Sequence, residues 1–500
     1  MKRNIVFPLR VLHVLSILLA AAYHSPVRSQ QLVQIPNPPG YSNNTCGALG
    51  SPIEYNGKLY YRFKNNAEVN ELMEFDGGSY TLIPTPPGHS DQDRGYVGEP
   101  YVYNGDLYLR YRNNAGNYQM YKFDGSTLAL VPNPPGHDDN LDGYHGASME
   151  YNGLLYISYR NNDGFTSLYA YDGSQLTAIT GPPGFTEYGY GGNIARPPVS
   201  YNGHLYLAYR DDNGAYILNR YNGDSFAVVP SPPGHDDNLR GYNGGAIVHN
   251  DHLFMRYQDD QGVYRMFRYG GTDLVQIANP PGHSQSGYGL QLNNVIYANY
   301  LYLQFRNNLN VRQMYRYSLG SYELVPNPPN HHLTNAGYWG EQIVHNGFLY
   351  LRYTNTSSLH QLYRYDGTDL SLAPNPPDHT EAFHGYAGDP IEYQGELHLR
   401  YRTNDGYYQL YKLDLTVHLD EDRTSPSIEI FPNPASEFFT VRSEASGIAE
   451  VRTLDGELVK TFAVHGDREI RVHPDVAAGT YLFQLTTEKA VITRRIHMVR

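Results

Sequence analysis

The chain has 500 residues, a formal net charge of -13 at pH 7, and a charged fraction of 17%. A nucleic-acid partner would require a basic face, so this balance argues against one. Gly (49), Pro (33) and Tyr (49) are abundant, as is typical of chains built from short strands and turns. Cys46 is the only cysteine, which excludes an intrachain disulfide and a zinc site made of several thiolates.

Residues 1–29 have the features of a signal peptide. A basic start precedes an apolar run at residues 11–22 that is too short to span a bilayer comfortably. Cleavage after Ala22 or after Ser29 fits the pattern, and an N-terminal membrane anchor is the alternative. We expect an exported protein, and no later stretch is apolar enough to predict a transmembrane segment in the mature chain.

The chain is repetitive from residue 31 onwards. A Pro-Pro pair recurs about every 48 residues, a period typical of propeller blades. The pairs begin at Pro38, Pro86, Pro134, Pro182, Pro232, Pro280, Pro328 and Pro376. Each pair is followed by a long Gly-rich loop and then by alternating apolar runs with tight-turn signals, as in residues 103–136, where Asn104-Gly105 and Asp124-Gly125 favour hairpins.

This pattern predicts four strands per copy and an all-β domain at residues 30–419, an eight-bladed β-propeller of four-stranded antiparallel blades. An open β-solenoid or two smaller propellers are the alternatives. The first segment, Gln31–Ile35, nearly repeats the fourth strand at Asp273–Ile277. We therefore predict that it completes the last blade and removes the exposed edges of an open array, although residues 415–419 could supply that strand instead.

The repeats resemble a bacterial propeller repeat with the pattern N-G-x-L-Y followed by L-(W/Y)-x-x-D-G-T. The pattern stands at Asn346 (NGFLYL) and Leu362 (LYRYDGT), with tyrosine in place of the usual tryptophan. The resemblance covers residues 31–415. It implies a fold and carries no reaction with it.

A polar linker is predicted at residues 420–427, and a differently built segment follows at residues 428–500. Its motifs are Pro432-Asn433-Pro434, Leu454-Asp455-Gly456, Gly479-Thr480-Tyr481 and the basic end Arg494–Arg500. In this order they resemble the type A C-terminal sorting domain of Bacteroidota type IX secretion cargo. An ordinary adhesive Ig-like domain is the alternative.

The sorting-domain resemblance has consequences for both fold and location. It implies a small Ig-like β-sandwich and partners in the type IX secretion machinery and a sortase-like protease. We expect a product that is secreted or held at the outer-membrane surface of a Bacteroidota-like bacterium.

The long loops after the Pro-Pro pairs share a histidine and a Gly-Tyr pair, and they should lie on one face of the domain together with the loops between second and third strands. Loops on a rigid scaffold commonly carry function, and Tyr offers flat apolar area plus a hydroxyl, which suits carbohydrate. The candidate ligand-binding residues are Trp339, Tyr338, His331, His332, Tyr96, His89, Tyr144, His137, Tyr242 and His235. Because the His and Tyr recur in nearly every copy, identical structural niches explain them better than a site does. Trp339 is the only tryptophan and is the best single candidate.

Other repeated residues suggest weaker hypotheses. Asp138, Asp139, Asp236 and Asp237 in two HDDNL loops could bind calcium, but their spacing matches no calcium loop. We predict no cofactor and no metal. The recurrent arginines of the second strands are predicted to donate hydrogen bonds to carbonyls between blades.

The sequence contains no paired catalytic carboxylates, nucleophile elbow, P-loop or zinc-protease motif, so no catalytic residue is predicted. The favoured function is a non-catalytic binding or adhesion module for a glycan or protein ligand. A secreted lyase or hydrolase acting on polysaccharide, with His and Tyr as base and acid, and a structural matrix component are the alternatives.

Overall fold

The computed structural model describes residues 31–185, 189–192, 196–318, 320–373, 375–414, 428–453, 457–466, 468–474, 476–487 and 491–499. Every regular element within these ranges is a β-strand. The chain divides into a unit at Gln30–Asp414 and a second unit that contains Leu415–Arg500. The predicted signal peptide, the linker and the Asp455-Gly456 turn lie outside the described residues.

The first unit is one extended sheet. Its strands are β1 (Gln31–Ile35), β2 (Gly47–Tyr55), β3 (Lys58–Lys64), β4 (Asn70–Phe75), β5 (Tyr80–Ile83), β6 (Gly95–Tyr103), β7 (Asp106–Arg112), β8 (Tyr118–Phe123), β9 (Leu128–Val131), β10 (Gly143–Tyr151), β11 (Leu154–Arg160), β12 (Thr166–Tyr171), β13 (Leu176–Ala178), β14 (Gly189–Tyr190), β15 (Val199–Tyr201), β16 (His204–Arg210), β17 (Tyr216–Tyr221) and β18 (Phe226–Val228). They continue as β19 (Gly241–Tyr242), β20 (Ile247–His249), β21 (His252–Gln258), β22 (Tyr264–Tyr269), β23 (Leu274–Ile277), β24 (Gly289–Leu290), β25 (Val295–Tyr297), β26 (Tyr300–Arg306), β27 (Arg312–Ser318), β28 (Ser321–Val325), β29 (Gly337–His345), β30 (Phe348–Thr354), β31 (His360–Tyr365), β32 (Leu370–Ala373), β33 (Gly385–Tyr393), β34 (Glu396–Arg402) and β35 (Tyr408–Asp414).

The recurring unit is a four-stranded antiparallel meander. In β6–β9, each strand pairs antiparallel with the next. Gly95, the first residue of β6, also pairs in parallel with Asn70 of the preceding meander. The same parallel contact links Gly143 to Tyr118 in the next meander, so neighbouring meanders form one continuous sheet.

The sheet is closed because its first and last strands pair with each other. β1 runs antiparallel to β35, with Gln31 opposite Asp414. β2 pairs in parallel with β35 through Gly47 and Tyr408. The predicted pairing of the N-terminal strand is therefore present, whereas the alternative strand at residues 415–419 lies outside the described residues.

Both faces of each meander are buried against its neighbours. Leu107 and Tyr111 of β7 pack with Tyr60 of the preceding meander, whereas Tyr108 packs with Leu155 of the following one. This two-sided burial explains why both alternating sets of the LYLRY strands are bulky. A buried side chain of this size contributes about 1.5–3 kcal/mol, so the interfaces between meanders supply most of the domain's stabilisation.

The hairpin tyrosines form hydrogen bonds from one meander to the next. The Tyr55 hydroxyl donates to the Gly105 carbonyl at 2.9 Å, and the Tyr103 hydroxyl donates to the Gly153 carbonyl at 2.8 Å. At the closure point, the Tyr393 hydroxyl donates to the Gly57 carbonyl at 2.9 Å. One bond type is thus reused around the sheet, including across its ends.

The second unit contains two antiparallel sheets. One consists of β36 (Ile428–Phe431), β37 (Phe439–Ser443) and β40 (Ile470–Val472). The other consists of β38 (Gly447–Thr453), β39 (Leu458–Val464), β41 (Gly479–Thr486) and β42 (Val491–Met498). Both contribute to one core, in which Phe439 and Val441 lie with Val451 and Phe483.

Candidate functional site

The two classes of long loop lie together. The backbone N–H of Asn114, between β7 and β8, donates to the Gly88 carbonyl at 2.7 Å. Asn162, between β11 and β12, makes the same bond to Gly136 at 2.8 Å. Each loop between second and third strands is thus tied to a Pro-Pro-Gly loop, which confirms the predicted common location.

The repeated loop histidines are buried and hydrogen-bonded. The Nδ1 atom of His89 lies 3.0 Å from the Pro87 carbonyl oxygen, and its Nε2 atom lies 2.8 Å from Oε1 of Gln119. His331 makes the matching contacts with Pro329 and Gln361. His137 and His235 are also buried, each with Nδ1 near the carbonyl of the second proline of its loop. Among the predicted histidines, only His332 is exposed.

The predicted tyrosines are buried as well. Tyr96, Tyr144, Tyr242 and Tyr338 are each at most 1% exposed. Burial raises the pKa of Tyr144 to about 12 and that of the other three further above the usual range. These phenols therefore stay protonated at neutral pH, and their rings fill the interior of the sheet. Ligand access to them would require the surrounding strands to move.

The other sequence hypotheses concern the second-strand arginines and the two HDDNL loops. Arg62 donates to the Val97 carbonyl at 3.1 Å and Arg400 to the Leu49 carbonyl at 2.7 Å, which confirms the predicted role for these two arginines. The HDDNL loops are pinned by side chains of neighbouring loops, as where the Asp138 N–H donates to Oδ1 of Asn162 at 2.8 Å. Within the described residues, no three His, Cys, Asp or Glu side chains group closely enough to hold a metal ion.

The residue two positions after the glycine that opens each first strand is different in every repeat. It is half-buried in every copy, and its occupants are Leu49, Val97, His145, Gly191, Asn243, Gln291, Trp339 and Ala387. The flanking Gly and Tyr are nearly constant. A position that the scaffold leaves unconstrained is where a repeat protein can place recognition residues.

Trp339 occupies this position in β29. The guanidinium carbon of Arg312 lies 3.5 Å from the Trp339 ring centroid, and the His360 ring lies 6.1 Å away. Burial, assisted by the charges of Arg306 and Arg352, lowers the pKa of Arg312 to about 10. One face of the indole is therefore covered by a cation, which leaves less of the ring for a ligand.

A cavity forms around the same position in two other copies. It has a volume of about 480 Å³, within the range of small-molecule sites. The walls are His145, Arg160, Asp163, Gly164, Phe165, Thr166, Tyr190, Gly191, Gly192, Arg196, Arg210 and Tyr216. Because Gly191 has no side chain, the chain leaves open space where other copies carry one.

Arg196 is held across the cavity wall by contacts within its own copy. Its Nε donates to the Gly191 carbonyl at 3.2 Å, and its guanidinium carbon lies 3.7 Å from the Tyr216 ring centroid. Burial lowers the Arg196 pKa, and the nearby charge of Arg210 acts in the same direction. The guanidinium is thus fixed in place beside a second cation.

His145 and Tyr190 are polar residues of the cavity wall. Burial, followed by the charges of Arg110 and Arg160, lowers the His145 pKa to about 4, so its imidazole is neutral at pH 7. The His145 Nδ1 and the Tyr190 hydroxyl are buried without a hydrogen-bond partner among the described residues. The hydroxyls of Tyr96 and Tyr111 are buried in the same way in another repeat, so this feature belongs to the scaffold.

Sequence reasoning missed this cavity, although a signal was present. Seven positions separate Tyr144 from Tyr151, whereas eleven separate Tyr190 from Tyr201. The added residues carry Arg196, which has no counterpart in the other copies. An insertion that breaks a faithful repeat is the mark of a local function, and it could have directed attention to this copy.

The sorting-motif residues are placed in the second unit. The Asn433 side chain donates to the Arg495 carbonyl and accepts from the His497 N–H, both at 2.8 Å. The Tyr481 hydroxyl donates to the Ala477 carbonyl at 2.9 Å, and Gly479 pairs with Met498 of the last strand. Pro432 and Pro434 flank Asn433, so this motif fixes the final strand to the start of the unit.

Several solved structures resemble this chain at low sequence identity. The chain matches the quinohemoprotein alcohol dehydrogenase from Comamonas testosteroni at 11% identity and TM-score 0.48, over 82% of this chain and 80% of that one. BamB from Moraxella catarrhalis matches at 9% identity and TM-score 0.42, over 76% and 100% of the two chains. A structure from a study of two prolyl endopeptidases matches at 12% identity and TM-score 0.44; the match covers 72% of this chain and 55% of that chain's length.

These matches carry no argument about activity. No curated protein matches the sequence. Among the described residues, no helix is long and apolar enough to cross a membrane.

The second unit has a direct family match. Residues 429–499 match the family described as the secretion system C-terminal sorting domain. This span contains the Pro432-Asn433-Pro434 and Gly479-Thr480-Tyr481 motifs and the basic end of the chain. The C-terminal unit is therefore similar to this sorting domain, which supports secretion of the chain as a type IX cargo.

Proposed function

We propose that the chain is an exported β-propeller of eight four-stranded blades that acts as a non-catalytic binding module. The observation that carries this proposal is the cavity of about 480 Å³ lined by His145, Arg196 and Tyr216. It lies where one repeat differs from the others in sequence. The repeated His and Tyr residues are buried in the packed interior. Trp339 remains a secondary candidate platform at the equivalent position.

The sorting domain supports the proposed location. Delivery by type IX secretion would bring the binding module to the outside of a Bacteroidota-like cell. Its ligand would then be a glycan or a protein met at or beyond the outer membrane, after removal of the C-terminal domain by a sortase-like protease. The Ig-like character of that domain and a signal peptide at residues 1–29 belong to the same proposal.

A glycan array and calorimetric titration with the full chain test this function. We expect binding to a restricted set of polysaccharides or surface proteins, lost when the cavity is filled by Gly191→Trp. The matched control is Ala387→Trp, at the equivalent position of another repeat. Silence across polysaccharides and outer-membrane extracts would contradict a binding role.

One observation favours a second function, a lyase that acts on acidic polysaccharide. His145 lines the cavity as a neutral imidazole, and three arginines that could neutralise a sugar carboxylate line the same cavity. Such a site would abstract a proton α to the carboxylate and expel the glycosidic oxygen by elimination. Appearance of unsaturated uronate in ultraviolet absorbance, lost in His145→Gln, would establish it.

A further inference from the structure

The cavity at His145–Tyr216 is positively charged in an acidic protein. Among the described residues of its lining are three guanidinium groups, from Arg160, Arg196 and Arg210, and one carboxylate, from Asp163. Arg160 is partly offset by Asp142, whose Oδ1 lies 3.3 Å from its Nε. The chain as a whole carries a net charge of -13, so this concentration of cations is local.

The contacts of the cavity arginines can be compared with those of arginines in other repeats. Arg210 donates to the Gly214 carbonyl at 3.0 Å and to Oδ1 of Asn238 at 3.1 Å. Arg112, its counterpart two repeats earlier, makes the same two bonds to Gly116 and Asn140. Arg210 therefore has the same structural role as Arg112. It differs from Arg112 in that it also lines this cavity.

Arg110 lies over the Tyr118 ring two repeats earlier. The repeat at the cavity has Ala208 at the position of Arg110, and Arg196 takes over this stacking. Arg196 enters with the insertion that lengthens this repeat, and it lies over the Tyr216 ring beside Arg210. The neutral imidazole of His145 also lines the cavity.

We propose that this cavity binds an anionic sugar residue, the anion being a uronate carboxylate or a sulfate ester. Guanidinium groups bind either anion through charge-assisted hydrogen bonds. His145 supplies a neutral polar side chain in the cavity wall, and Phe165 supplies apolar surface for a ring face. This inference rests on the proposed binding function and specifies its ligand.

An acidic glycan fits the cavity better than an acidic peptide does. An extended peptide is commonly recognised by addition to a free strand edge. Here the strand edges beside the cavity are already paired, since the Gly191 N–H donates to the Ala208 carbonyl at 2.9 Å and Gly189 pairs with Thr166. A compact cup with polar walls suits a sugar ring.

The test is calorimetric titration of the full chain with four probes: polygalacturonate, dextran sulfate, uncharged dextran and poly-L-glutamate. The inference expects binding of polygalacturonate or dextran sulfate, whichever anion the cavity prefers, and weaker or no binding of dextran and poly-L-glutamate. Binding should weaken as salt is raised, because added ions screen the arginines.

Variants then locate the binding. Arg196→Gln and Arg210→Gln should each weaken binding of the acidic polysaccharide on the order of tenfold or more, the usual effect of losing a hydrogen bond to a charged group. Arg112→Gln is the matched control, because it loses the same structural bonds as Arg210→Gln outside the cavity. Thermal unfolding of each variant checks that it is folded.

The results separate failure of this inference from failure of the binding function. If dextran or poly-L-glutamate binds as tightly as the acidic polysaccharides, or if Arg210→Gln and Arg196→Gln bind like Arg112→Gln, the anionic-sugar inference is overturned while a binding role stands. If none of the probes and no array glycan or surface extract binds, the proposed function falls with it.

Discussion

Gln31 and Asp414 lie directly opposite each other in one antiparallel strand pair, although the whole repeat domain separates them in sequence. This pair begins the contact by which the first strand closes the sheet against the last. The first and last strands of the domain therefore stabilise each other.

Removal of β1 should open the sheet. A chain that starts at residue 36 loses the pairing with β35 and the burial of Ile35, which is 8% exposed. We expect a loss of at least about 2 kcal/mol in unfolding free energy, since one buried Ile alone contributes about 1.5–3 kcal/mol. Urea unfolding, compared with a chain that starts at residue 30, measures this. Equal stability of the two chains would show that β1 does not close the domain.

The glycines that open the first strands should tolerate no side chain. A Cβ at Gly143 would overlap the Tyr118 carbonyl oxygen, and its φ of 98° is unfavourable for other residues. Gly136 is the control, with φ of 74° and open space around its Cβ position. Gly136→Ala should cost about 1–2 kcal/mol, the penalty of the left-handed conformation, and Gly143→Ala considerably more. Equal losses in chemical unfolding would contradict the close parallel contact between meanders.

The loop histidines should matter for stability and not for binding. His89→Ala removes a buried ring that contacts Pro87 and Gln119, and we expect a loss of about 2–4 kcal/mol from the cavity and the unmet polar groups. His332→Ala, at an exposed site, should change stability by less than about 0.5 kcal/mol. Ligand affinity measured on folded protein should be the same for both. A selective loss of ligand affinity in His89→Ala would show that the loop histidines contribute to the binding site.

His398 should make the domain sensitive to acid. Burial lowers its pKa from 6.5 to about 4, with opposing smaller effects of Glu396 and Lys412. Between pH 6.5 and 4 the unfolded chain binds a proton at this residue that the folded chain does not, so stability falls as the pH is lowered through that window. At pH 4.5 this amounts to about 2–3 kcal/mol for the cited shift.

Substitution with Phe tests the acid response, because Phe254 occupies the equivalent position of another repeat. His398→Phe should lose less unfolding free energy than the parent chain between pH 7 and pH 4.5. The exposed-site variant His332→Gln should respond as the parent does. An unchanged pH response in His398→Phe would rule out this residue as a source of acid sensitivity.

The regular part of the fold follows from local patterning. The Pro-Pro period, the Asn-Gly turns and the alternation in LYLRY predict strands, hairpins and a repeat, and the near identity of Gln31–Ile35 to a later fourth strand predicts the closing pair. Each of these signals lies within one repeat or in the comparison of two repeats, so it can be seen without the tertiary structure.

The candidate site follows from a departure from that pattern. His89 and Tyr96 attract attention in the sequence because they recur, yet recurrence reflects an interface that every meander must build. Arg196 and Tyr216 come together because the insertion between β14 and β15 reaches the start of β17. That contact depends on the tertiary structure. Whether His145 is neutral likewise depends on burial and on Arg110 and Arg160, which the sequence does not place beside it.

The most direct test of the binding cavity is the crystal structure of the full chain soaked with trigalacturonate or with a sulfated disaccharide. The proposal predicts sugar density in the cavity, with the anion in hydrogen-bonding contact with Arg196 or Arg210 and a hydroxyl near His145. Ordered sugar at Trp339 or elsewhere on the domain, with the cavity at His145–Tyr216 holding only solvent, would contradict it.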